Sequence, residues 1–124
     1  MRITKIYKNI DTIDYIKCRI DNDYIINDGI ILEQGYNIIG FILYHTDIKD
    51  NNKILNIDYL HSENETSFNI LLKKFINKLK YEKYHMILST MNLDTDLINR
   101  YINLNFKIFC FKDNNKCILY KIIN

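Results

Sequence analysis

Residues 53–90 read KILNIDYLHSENETSFNILLKKFINKLKYEKYHMILST, and the change of period within this stretch decides the fold. From Lys53 to Leu60 apolar and polar residues alternate, as they do along a strand with one buried face. The pattern then changes. Phe68, Leu71, Leu72, Phe75, Ile76 and Leu79 recur at spacings of three and four, while Lys73, Lys74, Asn77, Lys78 and Lys80 fall on the other side, which predicts an amphipathic helix. His85 to Thr90 is short and apolar enough for a central strand. Strand, helix, strand in that order implies a crossover and a parallel pair.

The pattern extends in both directions from this centre. Upstream, Gly29 to Glu33 and Asn37 to Tyr44 form a hairpin around Gln34-Gly35-Tyr36, and Lys49-Asp50-Asn51-Asn52 turns the chain into the 53–60 strand. These three strands make an antiparallel meander. Ahead of them stand a strand from Arg2 to Lys8 and a helix of about three turns, capped by Asp11 and finished by Asp21 to Asp23. Downstream, Asp94 caps a second amphipathic helix with Leu97, Ile98, Tyr101 and Ile102 inward, and Phe106 to Phe111 and Cys117 to Ile123 flank Asp113-Asn114-Asn115 as a last hairpin.

Composition narrows the classes. At 124 residues, 48% hydrophobic and 26% charged, the chain has the balance of one ordinary globular domain spanning 1–124. A formal charge of +2 gives no whole-molecule field toward nucleic acid or anionic lipid, and no apolar run approaches the roughly 20 residues of a membrane-spanning helix. Neither partner is expected. The N-terminus has no cleavable leader pattern, and Cys18, Cys110 and Cys117 show neither CxxC nor zinc-ligand spacing. They are expected as reduced core thiols in a cytoplasmic protein with no metal.

The order β-α-β-β-β-α-β-α-β-β resembles the GNAT superfamily of acetyl-CoA-dependent N-acetyltransferases, a mixed α/β (α+β) fold with a central sheet of about seven strands and three helices. Three local matches carry the likeness. Glu33-Gln34-Gly35-Tyr36-Asn37-Ile38-Ile39-Gly40-Phe41 is similar to the family's second hairpin, and Leu71-Leu72-Lys73-Lys74-Phe75 to its cofactor-side helix. Arg100-Tyr101-Ile102-Asn103-Leu104-Asn105-Phe106 resembles its tyrosine helix, with Asn105 in place of a glycine, a substitution that the left-handed conformation tolerates.

The resemblance implies acetyl transfer from acetyl-CoA to an amine by direct attack, with Tyr101 as general acid and Glu63 as base; Asp58 and His61 are rivals for the base, and His45 and His85 carry no such argument. If residues simply alternate, Asp58 and His61 face opposite ways. The implied cofactor contacts are Leu60, Ser62, Glu65, Thr66, Ser67, Phe68, Lys73 and Asn92. One segment departs from the pattern: Glu63-Asn64-Glu65-Thr66-Ser67-Phe68 has no glycine where the family places a phosphate-binding turn, and its glutamates compete with a diphosphate for the helix N-terminus. Between first and second strands there is room for one helix, not two. An open acceptor side suits a protein acceptor or a homodimer that completes the site. A different class of function stays open beside the enzyme: a fold without cofactor binding that serves as a protein-interaction or regulatory module. Reading Lys73 to Tyr84 as a single-strand nucleic-acid surface conflicts with the near-neutral charge.

Overall fold

In a computed structural model, residues 1–6, 9–21, 23–26 and 28–123 are described; Tyr7 and Lys8, read above as the end of the first strand, lie outside them. The elements are β1 (Arg2–Lys5), α1 (Ile10–Lys17), β2 (Asp28–Gln34), β3 (Asn37–Lys49), β4 (Asn52–Ser62), α2 (Glu65–Tyr81), β5 (Met86–Asn92), α3 (Thr95–Asn103), β6 (Lys107–Lys112) and β7 (Lys116–Ile122). All seven strands join one sheet in the order β1-β2-β3-β4-β5-β7-β6.

Turn chemistry sets the strand register. Gly35, at φ 63, turns β2 into β3, while Asp50 and Asn51, at φ 52 and 66, turn β3 into β4, and Asn114 and Asn115, at φ 67 and 56, turn β6 into β7. Asparagine and aspartate tolerate this left-handed region, so a chain with three glycines makes its turns largely from other residues. Asn105, at φ 68, ends α3 in the conformation expected of it.

The sheet buries a core on each face. On one side Phe68, Leu71, Leu72, Phe75 and Leu79 of α2, with Tyr101 and Phe106, pack on Ile30, Leu32, Ile42, Leu55, Ile57 and Ile87. These are the residues that the helical period turned inward, and each buried Leu or Phe contributes about 1.5–3 kcal/mol. The other face holds a smaller core of Ile16, Ile31, Phe41 and Leu43 under α1. Gly40 lies where the cores meet β4: a Cβ there would sit 2.8 Å from the His61 carbonyl oxygen and 3.2 Å from the Leu71 side chain.

Differences from the sequence reading have local causes. Asn9, not Asp11, caps α1, its side chain accepting from the Thr12 N–H at 2.8 Å. The helix stops after eight residues at Lys17, short of Asp21, and leaves Cys18 exposed rather than in the core. β3 runs five residues past its expected end at Tyr44, because the 49–52 turn closes a long ladder on which the exposed residues His45 to Lys49 keep pairing with β4, and β4 runs two past Leu60, with His61 and Ser62 paired to Phe41 and Gly40. Cys117 is buried and Cys110 half-buried on adjacent strands, both as free thiols, and burial together with Cys110 raises the Cys117 pKa. Among the described residues no helix is long and apolar enough to cross a membrane.

Candidate active site

β4 and β5 form the parallel pair that the crossover required, with Ile54 to Ile57 set against Met86 to Ser89. Beyond these four rungs the two strands part. β4 continues to Ser62 paired only with β3, while β5 continues to Asn92 paired with β7. Alternate N–H and C=O groups along the free edge of β4 therefore line a gap instead of a ladder. The gap opens at the C-terminal ends of both strands, where crossover units place their ligand sites.

A bulge changes which side chains meet there. Leu43 pairs with Tyr59 but Tyr44 pairs with Ile57, so Asp58 is an extra residue that shifts the alternation. Leu60 belongs with the α2-side core, and Tyr59 packs on the α1-side core. Asp58 also meets α1-side partners: the Tyr24 hydroxyl donates to its carboxylate at 2.7 Å, and Tyr24 packs edge-on against Tyr59. His61 lies 5.6 Å from Phe41 of that same core. Simple alternation had put Asp58 and His61 on opposite faces; the bulge puts them on one.

The gap has two mouths. On the α3 side a cavity of about 300 Å³ is lined by Leu60, Ser89, Met91, Asn92, Asp94, Leu97 and Tyr101, among others. On the α1 side a cavity of about 330 Å³ is lined by Tyr24, His45, Asn56 and Leu88. Ile57, Asp58, Tyr59, Thr90 and Lys116 line both.

Tyr101 stands at the first mouth on α3, only 1% exposed. Its ring packs edge-on between Phe68 and Phe106, and its oxygen accepts from the Ser89 hydroxyl at 3.0 Å. Burial raises its pKa well beyond the usual tyrosine range, which keeps the phenol protonated. With Ser89 donating, the phenol hydrogen is left for another acceptor.

Glu63 and His61 line neither mouth. The Glu63 carboxylate accepts from the Tyr15 hydroxyl and lies 4.0 Å from Arg19 and 3.9 Å from His61. The Tyr15 hydrogen bond, ahead of the charges of His61 and Arg19, lowers its pKa. Arg19 Nε donates to His61 Nε2 at 3.1 Å, so that ring's lone pair is already engaged; burial and then Arg19 lower its pKa. These four residues tie α1 to the end of β4.

The residues expected to contact a cofactor separate into groups. Leu60 and Asn92 line the α3-side mouth with Tyr101. Ser67 and Phe68 are buried, 0% and 1% exposed, and the backbone N–H of each is taken: Ser67 N–H donates to the Asn64 side chain at 2.8 Å and Phe68 N–H to the Asn64 carbonyl at 3.0 Å. The Ser67 hydroxyl in turn accepts from Asn64 N–H at 3.2 Å, completing a capping box. Ser62 donates to the Asn64 carbonyl at 3.1 Å. Of the four orphan donors at the start of α2, those of Glu65 and Thr66, both exposed, are left. Lys73 sits elsewhere, in a groove with Lys80, Asn105 and Lys121 that shares no residue with the gap. Asp94 caps α3 as expected, accepting from Leu97 N–H at 3.2 Å.

Tyr24, Ser89 and Lys116 escaped the sequence reading, which named His45 only to set it aside. No spacing signal marks these residues, because strand register and the fold of the gap bring them together. Among the described residues no cluster of His, Cys, Asp or Glu could hold a metal ion.

No protein-family model matches the sequence, and neither does a curated protein. Solved structures do match. A chain of the NatC complex bound to Gag peptide and CoA superposes with a TM-score of 0.74 over 100% of both chains at 17% identity. The aminoglycoside 6'-acetyltransferase type Ii gives 0.72 over 100% of this chain and 98% of that one, at 12% identity. The ribosomal-protein-S18-alanine N-acetyltransferase from Escherichia coli gives 0.62 over 90% and 76%, also at 12%. At such identities the likeness is one of fold, and the fold is that of the GNAT acetyltransferases.

Proposed function

We propose that this chain, with the GNAT fold as premise, is an N-acetyltransferase that moves an acetyl group from acetyl-CoA to an amine by direct attack. The observation that carries this reading is the gap between β4 and β5 with Tyr101 buried at its edge. The thioester end of the co-substrate fits that gap. Leu60, Met91 and Leu97 offer apolar walls, and the free edge of β4 offers hydrogen-bonding groups to an extended amide arm. The bound thioester supplies an activated acetyl carbon. As the amine nitrogen bonds to that carbon and the carbon–sulfur bond breaks, Tyr101 gives its proton to the leaving sulfur, and the proton shed by the acylated nitrogen passes through solvent to restore it. Asn92 and Lys116 lie within reach of the same mouth.

The diphosphate end fits less well, and one observation there favours a second reading. Asn64 and Ser67 cap each other, and Glu65 holds negative charge at the positive end of α2. A helix start half satisfied in this way, with only the Glu65 and Thr66 N–H groups left beside the Glu65 carboxylate, suits a GNAT-fold module that binds no cofactor and works through a protein partner. A thermal shift with acetyl-CoA separates the two. Ligand at a hundred times its dissociation constant stabilises by about 2.7 kcal/mol, a shift of several degrees for a domain of this size. No shift at millimolar acetyl-CoA selects the module.

The acceptor side carries the eight-residue α1 and no second helix between β1 and β2 among the described residues. An open approach of this kind fits a protein acceptor or a second copy of the chain. Three free thiols fit a reducing compartment, and on that ground we assign the protein to the cytoplasm.

A further inference from the structure

We propose that His45, oriented by Asp58, is the general base that takes the proton from an acceptor ammonium entering through the α1-side mouth. The proposal rests on the acetyltransferase reading above and names the group that completes it. Direct attack needs a neutral amine, whereas an alkylamine is protonated at neutral pH, so a proton must leave on the acceptor side of the gap.

The candidates suggested by the resemblance are committed elsewhere. The Glu63 carboxylate is held by Tyr15, the His61 lone pair is taken by Arg19, and neither residue lines the gap. His45 is differently placed. On β3 it is a diagonal neighbour of Asp58, because His45 pairs with Asn56 two residues before the bulge. Its Nδ1 lies 2.8 Å and 3.0 Å from the two carboxylate oxygens of Asp58, which fixes the Nδ1–H tautomer and leaves the Nε2 lone pair available. Asp58 is itself held by the Tyr24 hydroxyl at 2.7 Å and has a side chain only 20% exposed. Base, orienting carboxylate and a third group fixing the carboxylate make an arrangement that recurs in proton-transfer sites.

His45 lines the α1-side cavity, and Asp58 lines both mouths. The other charged groups facing the ring are Asp47, whose carboxylate lies 3.7 Å from Nε2 and accepts from Asn56 at 3.0 Å, and Lys116 across the same cavity. Asp47 is too far from Nε2 for a hydrogen bond, yet an imidazolium formed on proton uptake would sit between two carboxylates. Proton acceptor and proton donor then stand at opposite mouths of one gap. His45 takes the ammonium proton, the neutral nitrogen bonds to the acetyl carbon, Tyr101 protonates the thiolate as the carbon–sulfur bond breaks, and the second proton shed by the acylated nitrogen returns through solvent to the Tyr101 oxygen, so charge and atoms balance.

The test measures acetyl transfer from acetyl-CoA to spermidine, as a probe alkylamine, between pH 6 and 10 for the wild-type protein, His45→Gln, Asp58→Asn and Tyr101→Phe, beside the acetyl-CoA thermal shift of each. His45→Gln should lower kcat/KM by about 100-fold at pH 7, and the deficit should close near pH 10, where the amine is deprotonated by itself. Asp58→Asn should lose about 10-fold at pH 7 with the same recovery toward pH 10, while neither change alters the thermal shift. A wild-type rate and pH profile in His45→Gln, with Tyr101→Phe impaired, overturns His45 alone. No wild-type turnover and no thermal shift overturns the acetyltransferase reading and this proposal with it.

Discussion

Tyr101 combines structural and chemical duties, and a single-atom change separates them. Its ring is part of the α2-side core between Phe68 and Phe106, and its oxygen is the acceptor for Ser89. Replacing it with phenylalanine keeps the ring and removes the hydroxyl, leaving the buried Ser89 hydroxyl without its acceptor, at a stability cost of about 1 kcal/mol. The catalytic cost should be far larger. With the acid for the leaving sulfur gone, turnover falls by about 100-fold while acetyl-CoA affinity, read by the thermal shift, stays as it was. Activity unchanged in Tyr101→Phe would remove the tyrosine from the mechanism. Tyr101 was legible in the sequence because a helical period and a local likeness both pointed to it. His45 was not, since its significance depends on Asp58, thirteen positions away, and on a register that the 49–52 turn sets.

At the scale of elements, the start of α2 is where the chain departs furthest from an anion-binding helix. Asn64 and Ser67 form their reciprocal cap with ordinary geometry, and Glu65 adds favourable charge to the first turn. Each of these features stabilises the helix on its own. Each also occupies or neutralises the positive end that a diphosphate would need. Glu65→Lys should therefore tighten acetyl-CoA binding, seen as a lower KM or a larger thermal shift, while lowering the melting temperature slightly through the dipole. An unchanged affinity would mean that the diphosphate does not approach this helix. The absence of glycine from 63–68 was visible in the sequence, but the capping box was not named there. Elements were otherwise well signalled where hydrophobic period and turn chemistry agreed, as in α2 and the three hairpin turns. They were misjudged where exposed residues kept pairing toward a turn, as in β3, where pairing ran on past the last apolar residue, as in β4, or where α1 ended without a stop signal. The bulge at Asp58 left no composition trace, and it is the feature that brings Asp58, Tyr59 and His61 to one face.

For the whole molecule, the tyrosines packed in the two cores form a shared titratable feature: Tyr44, Tyr84 and Tyr101 on the α2 side, Tyr15, Tyr24 and Tyr59 on the α1 side. Burial, then the Glu63 carboxylate for Tyr15 and the Asp58 carboxylate for Tyr24, raises the pKa of both phenols. Tyr44, packed against Phe75, is pushed up to about 12 by burial and then by Asp28, and Tyr101 is raised by burial alone. Tyr59 is raised first by its hydrogen bond to Asp21. In the unfolded chain each of these phenols titrates near 10. Below that pH both states hold the protons, so these tyrosines contribute no slope. Above it the unfolded chain releases protons that the folded chain retains, and stability falls as pH rises from about 10 toward the folded values. The melting temperature should thus be flat in this respect up to pH 9 and drop steeply from pH 10 to 11. Tyrosinate absorbance of the native protein should lag that of the denatured chain over the same interval. In Tyr101→Phe one raised phenol is gone, and the alkaline drop should be shallower by that one proton. A native titration that overlays the denatured one would mean that these phenols are solvated, and that the two cores around Tyr15, Tyr24 and Tyr101 do not close as described.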